Sequence, residues 1–189
     1  NQELFDQVFG KDVVTDEKAF REKVAEGIKA QFDVDSDYKF LLDLRAYAEN
    51  KVGDLTFPDA LLKRIMLNNN KDKDQKFVDD NYDASIKELK WHLIKEQLVA
   101  ANGIKVEDAD VKAAARETAR MQFAQYGMTN VPDEYLDNYA DSLLKDKKNV
   151  DNFVDRAIDR KLVVALKSVV KLNEKTVSMD DFNKMMQEK

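Results

Sequence analysis

Acidic residues at alternate positions are the first place to look for chemistry in this chain, and Asp33-Val34-Asp35-Ser36-Asp37 has them. Carboxylates spaced this way open a calcium-binding loop, where hard oxygen ligands converge on one cation. Such a loop needs glycine at its sixth position for the sharp turn and a bidentate glutamate at its twelfth. Tyr38 and Leu44 stand there instead, so the segment reads as a solvated helix face or a helix break. A second acidic group, Asp72, Asp74, Asp79, Asp80 and Asp83, alternates with Lys71, Lys73 and Lys76 without any ligand spacing. His92, the single histidine, follows Glu88 by four residues and sits beside Trp91. One helix face can bring that carboxylate near the imidazole, but a metal site needs three or more ligands and a nucleophilic triad needs a placed hydroxyl. Neither stands nearby. The chain has no cysteine, and its five glycines are scattered rather than gathered into a phosphate loop. The expectation is therefore a chain with no catalytic residue, no metal and no cofactor.

The elements that would hold any site are helices. With 5 Gly, 2 Pro, 36% charged and 43% hydrophobic residues among 189, the chain has few turn formers and suits long solvated helices better than a many-stranded sheet. The formal charge of −6 provides no basic stripe for nucleic acid. No apolar run approaches the roughly 20 residues of a membrane span, and the acidic amphipathic start lacks the character of a signal peptide, so a cytoplasmic setting is expected. Apolar residues at Phe20, Val24, Ile28 and Phe32, continued by Phe40, Leu41, Leu44 and Tyr47, predict a long helix from Thr15 to about Asn50, weakened locally at Gly27 and at 33–37, where a kink or break is left open. Leu61, Leu62, Ile65 and Met66 predict a helix after Pro58, a loop over Asn68 to Asp80, and a partner helix from about Asp83 to Ala101. Val111, Ala115, Ala119 and Phe123 mark a helix ending near Gly127, and Tyr135, Leu136, Tyr139 and Leu143 mark its successor. A stripe from Val150 to Leu172 predicts a return helix, and a short helix around Phe182 to Met186 closes the chain.

Three junctions connect these pieces: Leu55-Thr56-Phe57-Pro58-Asp59, Ile104-Lys105-Val106-Glu107-Asp108 and Val177-Ser178-Met179-Asp180-Asp181. Each places two apolar residues two apart, on one face of an extended segment, before an acidic residue where a helix can begin. Leu55, Phe57, Ile104, Val106, Val177 and Met179 are therefore expected to be largely buried. Thr56 and Ser178 stand three residues before Asp59 and Asp181, a spacing that can satisfy orphan amides at a helix start. Lys105 cannot, so the middle helix needs another cap.

The hairpin 104–149 is rich in large adaptable side chains. Met121, Phe123, Tyr126, Met128, Val131, Tyr135, Leu136, Tyr139 and Leu143 exceed what a narrow two-helix contact needs to bury, so some are expected to face solvent as a binding surface.

Taken together, the order of parts resembles the C-terminal helical domain of trigger factor, a bacterial ribosome-associated chaperone. The carriers are Phe20 to Val24 through Ala48-Glu49-Asn50 leading into Leu55-Thr56-Phe57-Pro58, then Leu98 to Ile104, and Lys171 to Val177 as the closing turn. The resemblance implies an all-α, elongated helical body with two protruding hairpin arms: a body helix over 1–55, a first arm over 56–103, a second over 104–149, and a return helix with a C-terminal helix over 150–189. It implies a non-enzymatic chaperone domain that cradles unfolded or nascent polypeptides without ATP. Ribosome docking and prolyl isomerisation would belong to parent domains outside this sequence, and a homodimer is left open. Periplasmic parvulin-type chaperones use a similar junction, and a helical scaffold for one folded partner is the other alternative.

Overall fold

The computed structural model describes residues 1–128 and 130–187. Thr129, inside the expected second arm, and Glu188 and Lys189, at the end of the expected last segment, lie outside them. The described residues form eight helices and no strand: α1 (Gln2–Phe9), α2 (Glu17–Val52), α3 (Asp59–Asn69), α4 (Gln75–Ala101), α5 (Asp108–Gln125), α6 (Asp133–Leu143), α7 (Lys147–Lys167) and α8 (Met179–Gln187). They fall into two compact units, Leu41–Gly103 and the remainder, Asn1–Phe40 with Ile104–Lys189.

In the larger unit α5, α6 and α7 close a core around Ala115, Ala140 and Phe153, flanked by Val111, Ala114, Leu143 and Leu144. Alanines at the contact let helix backbones approach closely, so a single phenyl ring fills the space they leave. Leu162, Val163 and Leu166 extend the buried side of α7. That helix ends at Lys167, so Val169 and Leu172, expected in its stripe, are exposed and non-helical. The side chain of Asp146 caps it by accepting from the Lys148 amide at 3.0 Å.

α1 had no counterpart in the expected element order. Phe5 stacks on Phe20 of α2 at 4.8 Å, and Phe9 meets the same ring edge-on at 5.4 Å. Asn1 caps the helix by accepting from the Leu4 amide. α2 begins where Asp16 accepts from the Ala19 amide at 2.8 Å. It runs for 36 residues with none buried. The helix does not break at 33–37, where the acids find side-chain partners without leaving the helix: Asp35 accepts from Gln31 at 3.0 Å and Asp37 pairs with Lys167 at the end of α7.

In the smaller unit α3 and α4 form a hairpin with Val78, Tyr82, Trp91 and Ile94 buried on α4. The expected Asn68–Asp80 loop shrinks to 70–74. Asp74 caps α4 through the Phe77 amide at 3.0 Å, and burial of Val78 just beyond extends the helix over residues whose polarity suggested a loop. Glu88 does not partner His92. It takes a two-point contact from Arg45, at 2.8 and 3.1 Å, which holds its carboxyl below the ordinary range, while His92 faces Glu96 at 3.3 Å. Lys90 reaches the carbonyl oxygens of Glu49 and Gly53 at the end of α2, where a cation complements the partial negative charge of a helix C-terminus.

Tyr82 donates to Asp59 at 2.7 Å, and burial, reinforced by that hydrogen bond, pushes its hydroxyl up to about 12. The fold thus prefers the neutral phenol. Its stabilisation is complete below the unfolded value of 10.0 and disappears as pH rises through about 12. Alkaline titration should show Tyr82 ionising late. Asp59→Asn should move it only partway back, because burial is the larger cause; an unmoved tyrosinate transition would remove Asp59 from the account.

The junctions depart from expectation. None of their six apolar residues is buried: Phe57, Ile104 and Val106 are half-buried, whereas Leu55, Val177 and Met179 are 41%, 39% and 61% exposed. The core around Phe153 closes with side chains from the helices and the turn after α6, none from a junction, which leaves the junctions as edges. Thr56 makes no cap, since α3 starts at Pro58 without a side-chain bond. Ser178 does, accepting from the Asp181 amide and donating to its carboxylate at 2.7 Å. In the middle junction Asp110 accepts from the Glu107 amide at 2.8 Å and pairs with Lys161. Phe57→Ala should accordingly cost about 1–2 kcal/mol, below the about 3–5 of a full core phenylalanine, read from the chemical denaturation midpoint.

Candidate polypeptide-binding surface

The turn from α5 to α6 is made by the backbone before side chains matter. Gly127 has φ +76, a left-handed conformation that a Cβ disfavours. Its amide bonds to the Ala124 carbonyl at 2.9 Å and the Met128 amide to the Phe123 carbonyl at 3.0 Å. This paired closure ends α5 sharply and throws Tyr126 and Met128 outward. On the far side Arg116 pins the start of α6, 2.5 Å from Asp133 and 3.4 Å from Asp137. Both carboxylates lie in or near the first helical turn, where negative charge is favoured.

Within this frame the expected surface residues separate. Tyr126 is 80% exposed, Tyr135 65%, Met121 48%, Met128 47% and Tyr139 38%. Phe123, Val131 and Leu143 are half-buried, with Leu143 against the Phe153 core. Leu136, also expected at the surface, is a core residue at 3% exposure, because one step along α6 from Tyr135 rotates the side chain by about 100°, from the solvated face into the core. Phe123 and Tyr139 hold the hairpin together with ring centres 5.4 Å apart, and Tyr139 donates to Gln122 at 2.8 Å.

Phe123, Met128, Val131 and Tyr135 line an open groove of about 410 Å³, completed by Gln7, Gly127, Asn130 and Pro132. Asn130 donates to the Val8 carbonyl at 2.7 Å, so the groove borders α1. Sequence reasoning missed Gln7 and Asn130. Polar residues in an unrecognised helix and a turn have no periodic signal to mark them.

The groove holds no pair of titratable groups with reactive geometry, and no cluster among the described residues has three side chains placed to hold a metal. Nor is any described helix long and apolar enough to cross a membrane. What the surface can do is cover apolar groups of another chain. A family model described as "Probable trigger factor, C-terminal domain" matches residues 36–186. The chain belongs to the trigger factor C-terminal domain family. Searches among curated proteins and among solved structures gave no match. The match covers every helix from α3 to α7, nearly all of α8 and the second half of α2, so the exposed hairpin surface lies inside the trigger factor region whereas α1 lies outside it. Membership makes this a chaperone-like domain.

Proposed function

We propose that this trigger factor domain holds unfolded or nascent polypeptides by many weak apolar contacts, without nucleotide hydrolysis, and releases them to fold. The observation that carries the reading is the concentration of exposed Tyr126, Tyr135, Met121, Met128 and Tyr139 about one hairpin turn, beside a groove large enough for a few side chains. Met and Tyr adapt to varied partners, and each buried contact contributes about 1–2 kcal/mol before ordering costs, so affinity is broad and reversible. Segments 56–103 and 104–149 would serve as two arms that approach a client. Ribosome docking and prolyl isomerisation would reside in parent domains, the chain itself being non-enzymatic, and the parent would work in the cytoplasm.

The test is light scattering of a chemically denatured enzyme diluted into buffer with and without this chain, in the absence of nucleotide. Suppression at near-stoichiometric ratios is expected. Unaltered aggregation would refute the holding activity, and selective binding of a single folded partner would favour a scaffold instead.

A further inference from the structure

A second cleft, of about 510 Å³, lies between α5 and α7 and differs in chemistry from the apolar groove. Thr118 and Gln122 line it from α5, and Asn149, Asn152, Arg156 and the carboxylates Asp155 and Asp159 from α7. A carboxamide carries N–H donors and a carbonyl acceptor, the same pair of functions that a peptide group presents in reverse; here Asn149 spends one N–H on the Leu143 carbonyl at 3.4 Å and keeps its carbonyl oxygen as an acceptor. Asn149 and Asn152 are three residues apart on α7, hence neighbours on one helix face. Gln122 accepts from Tyr139 through its carbonyl oxygen at 2.8 Å, which fixes the amide so that its NH2 is left to donate. Arg156 donates to Thr118 at 2.9 Å and bridges the two walls. Phe153 and Leu143 contribute apolar lining below these polar groups.

We propose that this cleft is a main-chain subsite that takes an extended stretch of polypeptide, with Gln122, Asn149 and Asn152 hydrogen-bonding its peptide groups. The inference rests on the client-holding reading and specifies which part of the client this cleft recognises. An unfolded chain differs from a folded one in having unpaired backbone N–H and C=O groups, so a carboxamide cleft selects for unfoldedness itself, whereas the apolar groove selects for exposed hydrophobic side chains. Gln122 lines the cleft and the next residue on α5, Phe123, lines the groove, so the two surfaces are neighbours and one client segment can engage both.

The test uses a fluorescently labelled, unstructured peptide of about ten residues and its depsipeptide analogue, in which alternate backbone amides are esters. The ester removes the N–H donor and weakens the acceptor while keeping every side chain. The intact chain should bind the amide peptide about tenfold more tightly than the ester, the effect of losing two or three net hydrogen bonds. Gln122→Leu with Asn152→Leu should bring the two ligands to equal affinity, with apolar binding retained. The single change Asn152→Leu, at an exposed position, should narrow the gap without the double variant's demand on the fold. Equal binding of both peptides by the unmodified chain overturns the subsite and leaves client holding intact. Undiminished discrimination in the variants also overturns it, and failure to bind either peptide sinks the client-holding reading with it.

Discussion

Replacing Phe153 with alanine should destabilise the α5–α6–α7 unit by about 3–5 kcal/mol, a large share of the roughly 5–15 kcal/mol that separates folded from unfolded states in ordinary domains. The upper end of that range is expected here for a geometric reason. The ring is 5% exposed, and two of the residues it meets, Ala115 and Ala140, are fully buried alanines. Neither has a side chain that can swing into the vacated space, so collapse would require whole helices to move, and the cavity persists. Loss of helical ellipticity with denaturant is the measurement to use. Trp91, the single tryptophan, belongs to Leu41–Gly103 and reports on the other unit. A midpoint shift worth less than about 1 kcal/mol would mean that the three helices are held by something other than this contact.

The second large effect concerns binding. Changing Met121, Tyr126, Met128 and Tyr135 together to serine should reduce suppression of client aggregation at least about tenfold while moving the denaturation midpoint by less than about 1 kcal/mol. The separation is expected because all four are already solvated, from 47% to 80% exposed, and so lend little to the fold. Leu136→Ser supplies the contrast. As a buried neighbour of Tyr135 it should unfold the hairpin and lose both properties. Should the fourfold variant keep full suppression, clients are held elsewhere; should it lose stability as well, the four are structural.

How much of this was legible depended on whether periodic burial dominated a segment. α5 and α7 were legible because Ala115, Ala119, Phe153 and Ala157 repeat at helical spacing and are all buried. Gly127 was legible because a left-handed turn has one preferred residue. α1 was not, since a short helix is stabilised by rings from another element, Phe5 and Phe9 on Phe20, rather than by its own pattern. The first turns of α4 were hidden for the opposite reason. Asn, Asp and Lys outnumber the buried Val78 and Tyr82, and capping by Asp74 is only a hydrogen bond, so composition argued for a loop while one cap and two side chains decided for a helix. The exposed binding residues were legible as a group and not individually. Tyr135 and Leu136 are adjacent, similarly apolar, and on opposite sides of the surface, a distinction set by the rotation of α6 against α5.

The long helix α2 carries a consequence for how the chain is handled in a cell. Its residues 25–34 are exposed without exception, so this stretch is helical with little to close it beyond the edge-on contact of Phe32 with Phe182 at 6.5 Å. Gly27, which lowers helix propensity, sits near its start, and Lys29 presents a cleavable bond in its middle. Opening a few turns there breaks hydrogen bonds but exposes little new apolar surface beyond the Phe32 ring, so the local free energy of opening is below that of the packed helices. Degradation would therefore begin within an element that is helical throughout, and backbone amide exchange should be fastest in the middle of the longest helix in the molecule rather than at its ends.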